Sequence, residues 1–277
     1  MSAIPGLKKK LKSVRAAGKL SKAMKTVSAA KYSKLNAIFK NYSLYAREYA
    51  GLCGFSEEIV QDTDIKTVVV FGSNKGFCGG FNNQIIQFLK DNVFSEKLPE
   101  HLIVCGGTLS KLMTENGYEA EKTFVFGDIP SFDESADLFN ALSDFGAEVS
   151  DYPVMLVRPI YKNTMTQIPQ AQVMLLNRSG SGESGNDTLF FPDEKTVEEA
   201  LAQNMLRTVI YGAMLETALG AQAATLMTMR SAYDTATEYG EALESEIHRQ
   251  RQRDVTADVI ETSSEKVGKK EGDDKNA

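Results

Sequence analysis

The residues best placed to do chemistry lie in one run, Gly72-Ser-Asn-Lys-Gly-Phe-Cys-Gly-Gly-Phe-Asn82, directly after the apolar stretch Thr67-Val-Val-Val-Phe. A glycine-rich turn between a strand and a helix can offer backbone N–H groups to a phosphate. The spacing speaks against that use here. Lys75 precedes the later glycines, so the order GxxxxGK[ST] is not met, and neither is GxGxxG. The competing reading is a tight turn that presents Lys75 and Phe77 on the surface. Cys78 lies in the same run, and a nucleophilic thiolate needs a base nearby. Lys75 favours a thiolate, but the two histidines, His101 and His248, are far away in sequence. The three cysteines, Cys53, Cys78 and Cys105, form no CxxC pair. Their odd number argues against a disulfide framework and for a reducing compartment. Acids are dispersed, with neither HExxH nor EF-hand spacing. No catalytic constellation, metal site or cofactor is expected.

The elements around this loop read as a mixed domain. After Thr67-Val-Val-Val-Phe-Gly come a helix over Asn82–Lys90, a strand at Leu102-Ile-Val-Cys-Gly and a helix over Leu109–Asn116. A strand at Thr123-Phe-Val-Phe and a helix over Asp133–Phe145 follow. Val154–Tyr161 and Gln170–Leu176 read as two more strands, in the manner of a closing hairpin. Alternation of this kind predicts a mostly parallel sheet covered on both faces. The run from Ser179 to Gly185 reads as a flexible connection.

Two long helices flank that domain. From Pro5 to Gly54 apolar residues recur at Ile4, Leu7, Leu11 and Val14, and again at Leu35, Ile38, Tyr42, Tyr45, Tyr49 and Leu52. This alternation of three and four is a coiled-coil stripe. Between the stretches the phase slips, with Leu20, Met24 and Val27 on a neighbouring ladder among small residues. A helix of ~48 residues reaches about 70 Å. The second helix runs over Glu194–Ser264. Met205, Val209, Gly212, Leu219, Ala223, Leu226, Tyr233, Gly240 and Ile247 share one heptad ladder with Glu216, Arg230, Thr237 and Glu244. The seam is therefore strong early and weak later. A narrow apolar stripe does not hold a lone helix together in water. The predicted fold is α/β: a long antiparallel coiled coil of N- and C-terminal helices with an inserted, mostly parallel α/β domain. A folded-back bundle is the alternative. The boundaries are 1–56 for the first helix, 64–193 for the α/β domain, 194–265 for the second helix and 266–277 for a flexible tail.

Charge is unevenly spread. The net charge of −6 hides twelve Lys or Arg before Glu48, the first acid, which leaves 19 of the 31 basic residues against all 37 acidic ones. A basic arm on an acidic body predicts an acidic partner surface. Nucleic acid is the competing partner, but arginine, the usual base reader, is scarce in the arm. A mitochondrial transit peptide is the competing reading of the arm itself, set against its lysine-rich, continuous helical pattern. No apolar run of 18 residues marks a membrane span.

Three stretches together resemble the γ subunit of F-type ATP synthases. They are Leu11–Arg15 with Lys19–Lys31, the loop Gly72–Asn82, and Arg251-Gln-Arg-Asp-Val-Thr-Ala-Asp-Val-Ile260. The resemblance implies a non-catalytic rotor subunit. Its terminal helices turn inside a ring of three α and three β subunits. Its Rossmann-like α/β domain meets the ε subunit and the c-ring, and the β subunits carry the ATP chemistry. Met24 and Lys25 match the region facing the β levers, and Arg251 and Gln252 a pair that binds a β loop. Lys75, with Lys22 and Lys25, is expected to meet acidic residues of the levers. The resemblance also implies a peripheral place on the cytoplasmic face of a bacterial membrane, touching the bilayer only through the c-ring. The runner-up is an α/β nucleotide-binding enzyme with helical extensions. A third reading is a coiled-coil scaffold that dimerises through its terminal helices. The charged run His248-Arg-Gln-Arg-Gln-Arg-Asp and the polar tail depart from the family pattern.

Overall fold

The chain's own apolar periods decide its elements. A computed structural model describes residues 4–53, 65–95, 97–144, 154–174, 191 and 193–273. The expected connection from Ser179 to Gly185 lies outside the described residues. The elements are α1 (Ile4–Cys53), β1 (Thr67–Phe71), α2 (Phe81–Phe88) with a π turn at Leu89–Val93, and β2 (His101–Cys105). There follow α3 (Gly107–Glu115), β3 (Lys122–Phe124), α4 (Glu134–Asp144), β4 (Val154–Asn163), β5 (Thr166–Met174) and α5 (Glu194–Asp273). Helical backbone thus continues to Asp273, beyond the expected end at Ser264. Two units are distinguished: Thr26–Thr228, and Met1–Lys25 with Met229–Ala277.

In the Thr26–Thr228 unit the sheet order is β3-β2-β1-β4-β5. The first three pairings are parallel, and β5 returns antiparallel beside β4. Successive side chains of a strand point to opposite faces, and β1 is buried on both. Val68 and Val70 pack with Ile85 and Ile86 of α2 and Leu109 and Met113 of α3. Val69 and Phe71 pack with Leu35 of α1, Leu138 of α4 and Ile210, Met214 and Leu219 of α5. A strand buried on both faces needs a continuous apolar run, which is why Thr67–Phe71 shows no alternation.

Residues 212–220 of α5 are all buried, because the helix lies in this core. The early strength of the expected seam is therefore core burial on every side of the helix. Within the same unit α1 and α5 run antiparallel. The Tyr42 hydroxyl donates to the Thr208 carbonyl at 3.0 Å and the Tyr49 hydroxyl to the Leu201 carbonyl at 3.2 Å. Burial pushes the Tyr42 phenol up to about 12. Gly212 is the close approach here, since a Cβ there would run into the Tyr42 hydroxyl and ring.

A buried polar cluster joins α5 to the hairpin. Glu216 is 5% exposed. It forms an ion pair with Arg158 of β4 and accepts the Tyr161 N–H at 2.9 Å. Arg158 also donates to the Gln172 side chain at 3.1 Å. Burial raises the Glu216 carboxyl, and the Arg158 charge opposes that.

In the other unit α1 and α5 again run antiparallel. Leu11 lies against Gly240, Gly18 against Ala236, and the Lys25 ammonium 5.2 Å from the Tyr233 ring centre. Arg15 pairs with Glu244. Two expectations are corrected here. Along α1 one row of less exposed positions runs through Ile4, Leu7, Leu11, Val14, Gly18, Ser21 and Lys25, with Met24 half-buried beside it, and the same alternation continues at Ser28, Tyr32, Leu35, Phe39, Tyr42, Ala46 and Tyr49. The ladder does not slip. Leu20 and Val27 stand 59% and 53% exposed. A Cβ on Gly18 would lie 3.3 Å from the Ala236 Cβ, so the seam takes small residues there and large ones are left outside. Along α5 the seam uses Met229, Tyr233, Ala236, Gly240, Leu243 and Ile247, while Arg230 and Thr237 are exposed. The later seam is thus apolar, one position away from the charged ladder that was expected.

Candidate functional site

Parallel strands end at a common edge. The loops after β1, β2 and β3 therefore gather there, and their hydrogen bonds knit them together. The Ser73 N–H donates to the Asn82 side-chain oxygen at 3.0 Å, and the Asn82 amide returns a bond to Ser73 Oγ at 2.8 Å. Asn74 donates to the Phe126 carbonyl at 2.5 Å and accepts the Gly107 N–H at 3.2 Å. The Thr108 hydroxyl donates to the Asn74 carbonyl at 2.9 Å. The Gly72 N–H is taken by the Cys105 carbonyl at 2.8 Å. Gly106, at φ +138°, sits against the Gly72 and Ser73 carbonyls where no Cβ fits.

This braced turn uses the Gly72 and Ser73 N–H groups internally, on the Cys105 carbonyl and the Asn82 side chain. Cys78 is buried beneath the loop, 3.4 Å from Ser73 Oγ. His101 starts β2, so it lies at the opposite end of the sheet from Cys78, and its Nδ1 is 2.8 Å from Glu121 Oε2. It cannot serve that thiol as a base. A cavity beside β3, lined by Cys105, Phe126, Leu138 and Met214, has about 40 Å³ of space. That admits a water but not a nucleotide.

What the loop presents outward is a cation and an aromatic. Phe77 is 64% exposed and holds φ +65°, an uncommon setting for a side chain of its size. Lys75 reaches over to Asp128, in the loop after β3, at 2.7 Å. Lys31 of α1 meets the same carboxylate oxygen at 2.5 Å. Bonds first from Lys31 and then from Lys75 hold the Asp128 carboxyl below the ordinary aspartate range.

The other expected contact residues lie in the helical unit Met1–Lys25 with Met229–Ala277. Met24 and Lys25 are half-buried on α1, with Lys22 and Lys25 both over the Tyr233 ring. Arg251 and Gln252 are exposed on α5. Eighteen residues separate Arg251 from Tyr233, about 27 Å of helix. The structure therefore gathers these residues into two stations on one helix pair, and puts Lys75 in the other unit. Asp128 went unread in the sequence, and Tyr233 was read only as a position on the helix ladder, not as the partner of Lys22 and Lys25. Asp128 had a signal, since it follows a parallel strand and the loops at such strand ends converge. From Val255 to Ser263 every residue of α5 is exposed, Val255, Val259 and Ile260 included. Among the described residues no helix is long and apolar enough to cross a membrane.

Comparison with known proteins decides the family. The ATP synthase family model matches residues 4–264. The chain belongs to the ATP synthase γ-chain family. A γ chain from Pelagibacter ubique is 30% identical, with 95% of this chain and 98% of that one covered. A γ chain from Desulforamulus reducens is 27% identical, with 94% and 97% covered. In fold the chain is similar to one in the Euglena gracilis mitochondrial ATP synthase structure of OSCP, F1 and c-ring. The TM-score is 0.74 at 16% identity, with 94% of this chain and 92% of that one covered. The fold of this γ chain is the predicted one: two long antiparallel terminal helices with an inserted, mostly parallel α/β domain.

Proposed function

We propose that this γ chain is the turning shaft that couples rotation of a membrane c-ring to ATP synthesis or hydrolysis at three β subunits. The helix pair of residues 4–25 and 229–254 turns inside the ring of three α and three β subunits. The α/β domain meets ε and the c-ring, which holds the chain peripherally at the cytoplasmic face of a bacterial membrane. The observation that carries this reading is the thin helix pair itself, with family membership beside it. It buries one narrow row on each helix and leaves its flanks exposed, as a shaft in a sleeve must. The chain itself does no ATP chemistry on this reading and holds no cofactor. The spacing of the glycine loop, which meets neither GxxxxGK[ST] nor GxGxxG, supports that part.

The contacts assigned to β are Met24, Lys25, Lys75, Arg251 and Gln252. The lysines form exposed or half-exposed pairs worth about 0.2–1 kcal/mol each, suited to contacts made and broken at each step. The test is reconstitution with the α and β subunits of the same organism. The expected product is one chain per three α and three β, with ATPase activity absent from the chain alone. Arg251→Ala with Gln252→Ala should lower coupled ATP synthesis in the full synthase while the chain's thermal unfolding stays unchanged. Unchanged coupling removes that pair from the assignment. A chain that ignores α and β but binds nucleotide by itself overturns the shaft reading.

A further inference from the structure

Lys75 was assigned above to a carboxylate on β, yet it already holds one. A single oxygen of Asp128 takes the Lys31 ammonium at 2.5 Å and the Lys75 ammonium at 2.7 Å. One negative charge between two positive ones leaves the cluster with a surplus of one positive charge. The two lysines are not equivalent. The Lys31 side chain is 32% exposed and that of Lys75 71% exposed. If Lys75 leaves, Asp128 keeps Lys31 and no buried charge is stranded. If Lys31 leaves, the less exposed of the two lysine side chains loses its carboxylate, at a larger cost.

The loop that carries Lys75 is pinned by Ser73, Asn74 and Asn82. The ammonium can therefore swing on its own side-chain torsions while the turn stays put. Surplus positive charge on an exposed, movable lysine attracts a second carboxylate.

We propose that Asp128 is an internal stand-in for a partner's carboxylate, and that Lys75 passes from one to the other when the partner arrives. The inference rests on the reading that Lys75 faces an acidic lever of β. Asp128 keeps Lys75 from binding other anions beforehand and sets how readily it is handed over. Because the two carboxylates compete for one ammonium, the internal pair weakens the external one.

The experiment measures the affinity of the full chain, labelled on the α/β domain, for the ring of three α and three β subunits at low and high salt. Asp128→Asn should bind about two- to five-fold more tightly than the unmodified chain, the size of one exposed ion pair. Lys75→Ala should bind weaker by a similar factor, with a shallower salt dependence. In the double variant the gain from Asp128→Asn should vanish. Lys31→Met has the opposite sign to Asp128→Asn, since Asp128 then holds Lys75 alone. It decides the matter if Asp128→Asn proves poorly folded. Lys75→Ala weaker but Asp128→Asn no tighter overturns the stand-in and leaves the Lys75 contact standing. So does a gain from Asp128→Asn that survives without Lys75. Lys75→Ala equal to the unmodified chain overturns the contact and the stand-in together. An unmodified chain that does not bind the ring overturns the shaft reading itself.

Discussion

Two stretches of α5 face the same task of burying a helix and meet it differently. Residues 212–220 are buried all round, among the sheet, α1 and α4. Residues 229–254 bury one row, Met229, Tyr233, Ala236, Gly240, Leu243 and Ile247, and expose most of the rest. The first stretch can hold a carboxylate at 5% exposure because Arg158 and the Tyr161 N–H of β4 satisfy it, with Gln172 of β5 holding Arg158 in turn. In the second, Glu244 pairs with Arg15 in the open, with side chains 41% and 62% exposed. A fully enclosed helix tolerates little change, whereas a half-open one leaves surface for something outside the chain.

The largest test of that contrast is Glu216→Ala. It strands Arg158, whose buried Nε has no hydrogen-bond partner among the described residues. The expected loss is about 3–5 kcal/mol, read as a lower urea midpoint for the Thr26–Thr228 unit. Replacing both partners by Leu and Met should restore most of it, because the desolvation of both charges disappears. Glu244→Ala should cost under about 1 kcal/mol. Equal losses at the two glutamates would erase the difference between the two stretches.

Gly212→Ala comes next. The new methyl meets Tyr42, which cannot swing aside easily. Its hydroxyl is bonded to the Thr208 carbonyl and its ring stands edge-on to Tyr211, with centroids 5.7 Å apart. Overpacking of this kind costs about 1–3 kcal/mol. A variant as stable as the parent in the same urea titration would show more room around Tyr42 than the packing implies.

Two carboxylates of the Thr26–Thr228 unit should tilt its stability in opposite directions with pH. Glu216 is raised by burial, so the folded chain holds that proton more tightly than the unfolded one. Its contribution falls as pH rises from the ordinary glutamate range to the raised value. Asp128 is lowered by Lys31 and Lys75. Its contribution is present above the ordinary aspartate range and is lost as pH falls through the lowered value. Asp128→Asn should therefore flatten the acid limb of stability by about 1 kcal/mol or less. The Glu216 and Arg158 double replacement should remove the decline at higher pH. Measuring urea midpoints from pH 3 to 8 separates the two.

The sheet was legible because a strand buried on both faces needs a continuous apolar run, and Val68–Phe71 and Leu102–Cys105 supply one. The hairpin was legible as strands over Val154–Tyr161 and Gln170–Leu176 and formed as β4 and β5, with β5 beginning earlier, at Thr166. The phase of the seams was not. Tyr233, Gly240 and Ile247 fit a ladder completed by Arg230 and Thr237 as well as one completed by Met229 and Ala236. Spacings of three and four alone do not choose between them. Gly18, Ser21 and Ser28 were unreadable as seam residues because a hydrophobic pattern looks for large side chains, while closely approaching helices need small ones. Of the candidate contacts, the sequence showed Lys75 on a surface turn, but its partner Asp128 lies 53 positions away. Only the parallel strands bring the two loops together.

The smallest effect has the opposite sign. Gly240 lies in the open stretch, and a Cβ there would find only a Leu11 methyl at 3.9 Å, an ordinary contact. Gly240→Ala therefore adds helix propensity without a clash and should stabilise by about 0.5–1 kcal/mol. Segments with few buried apolar contacts exchange through local openings, so a global unfolding curve is the wrong gauge. Amide exchange across residues 229–254 is the right one, and it should slow by about two- to five-fold. The same glycine-to-alanine change would then weaken the chain at 212 and strengthen it at 240, on one helix. Faster exchange in Gly240→Ala would mean that the thin seam is as tightly packed as the core. Its small residues would then serve close packing alone, and not a surface kept free for a sleeve.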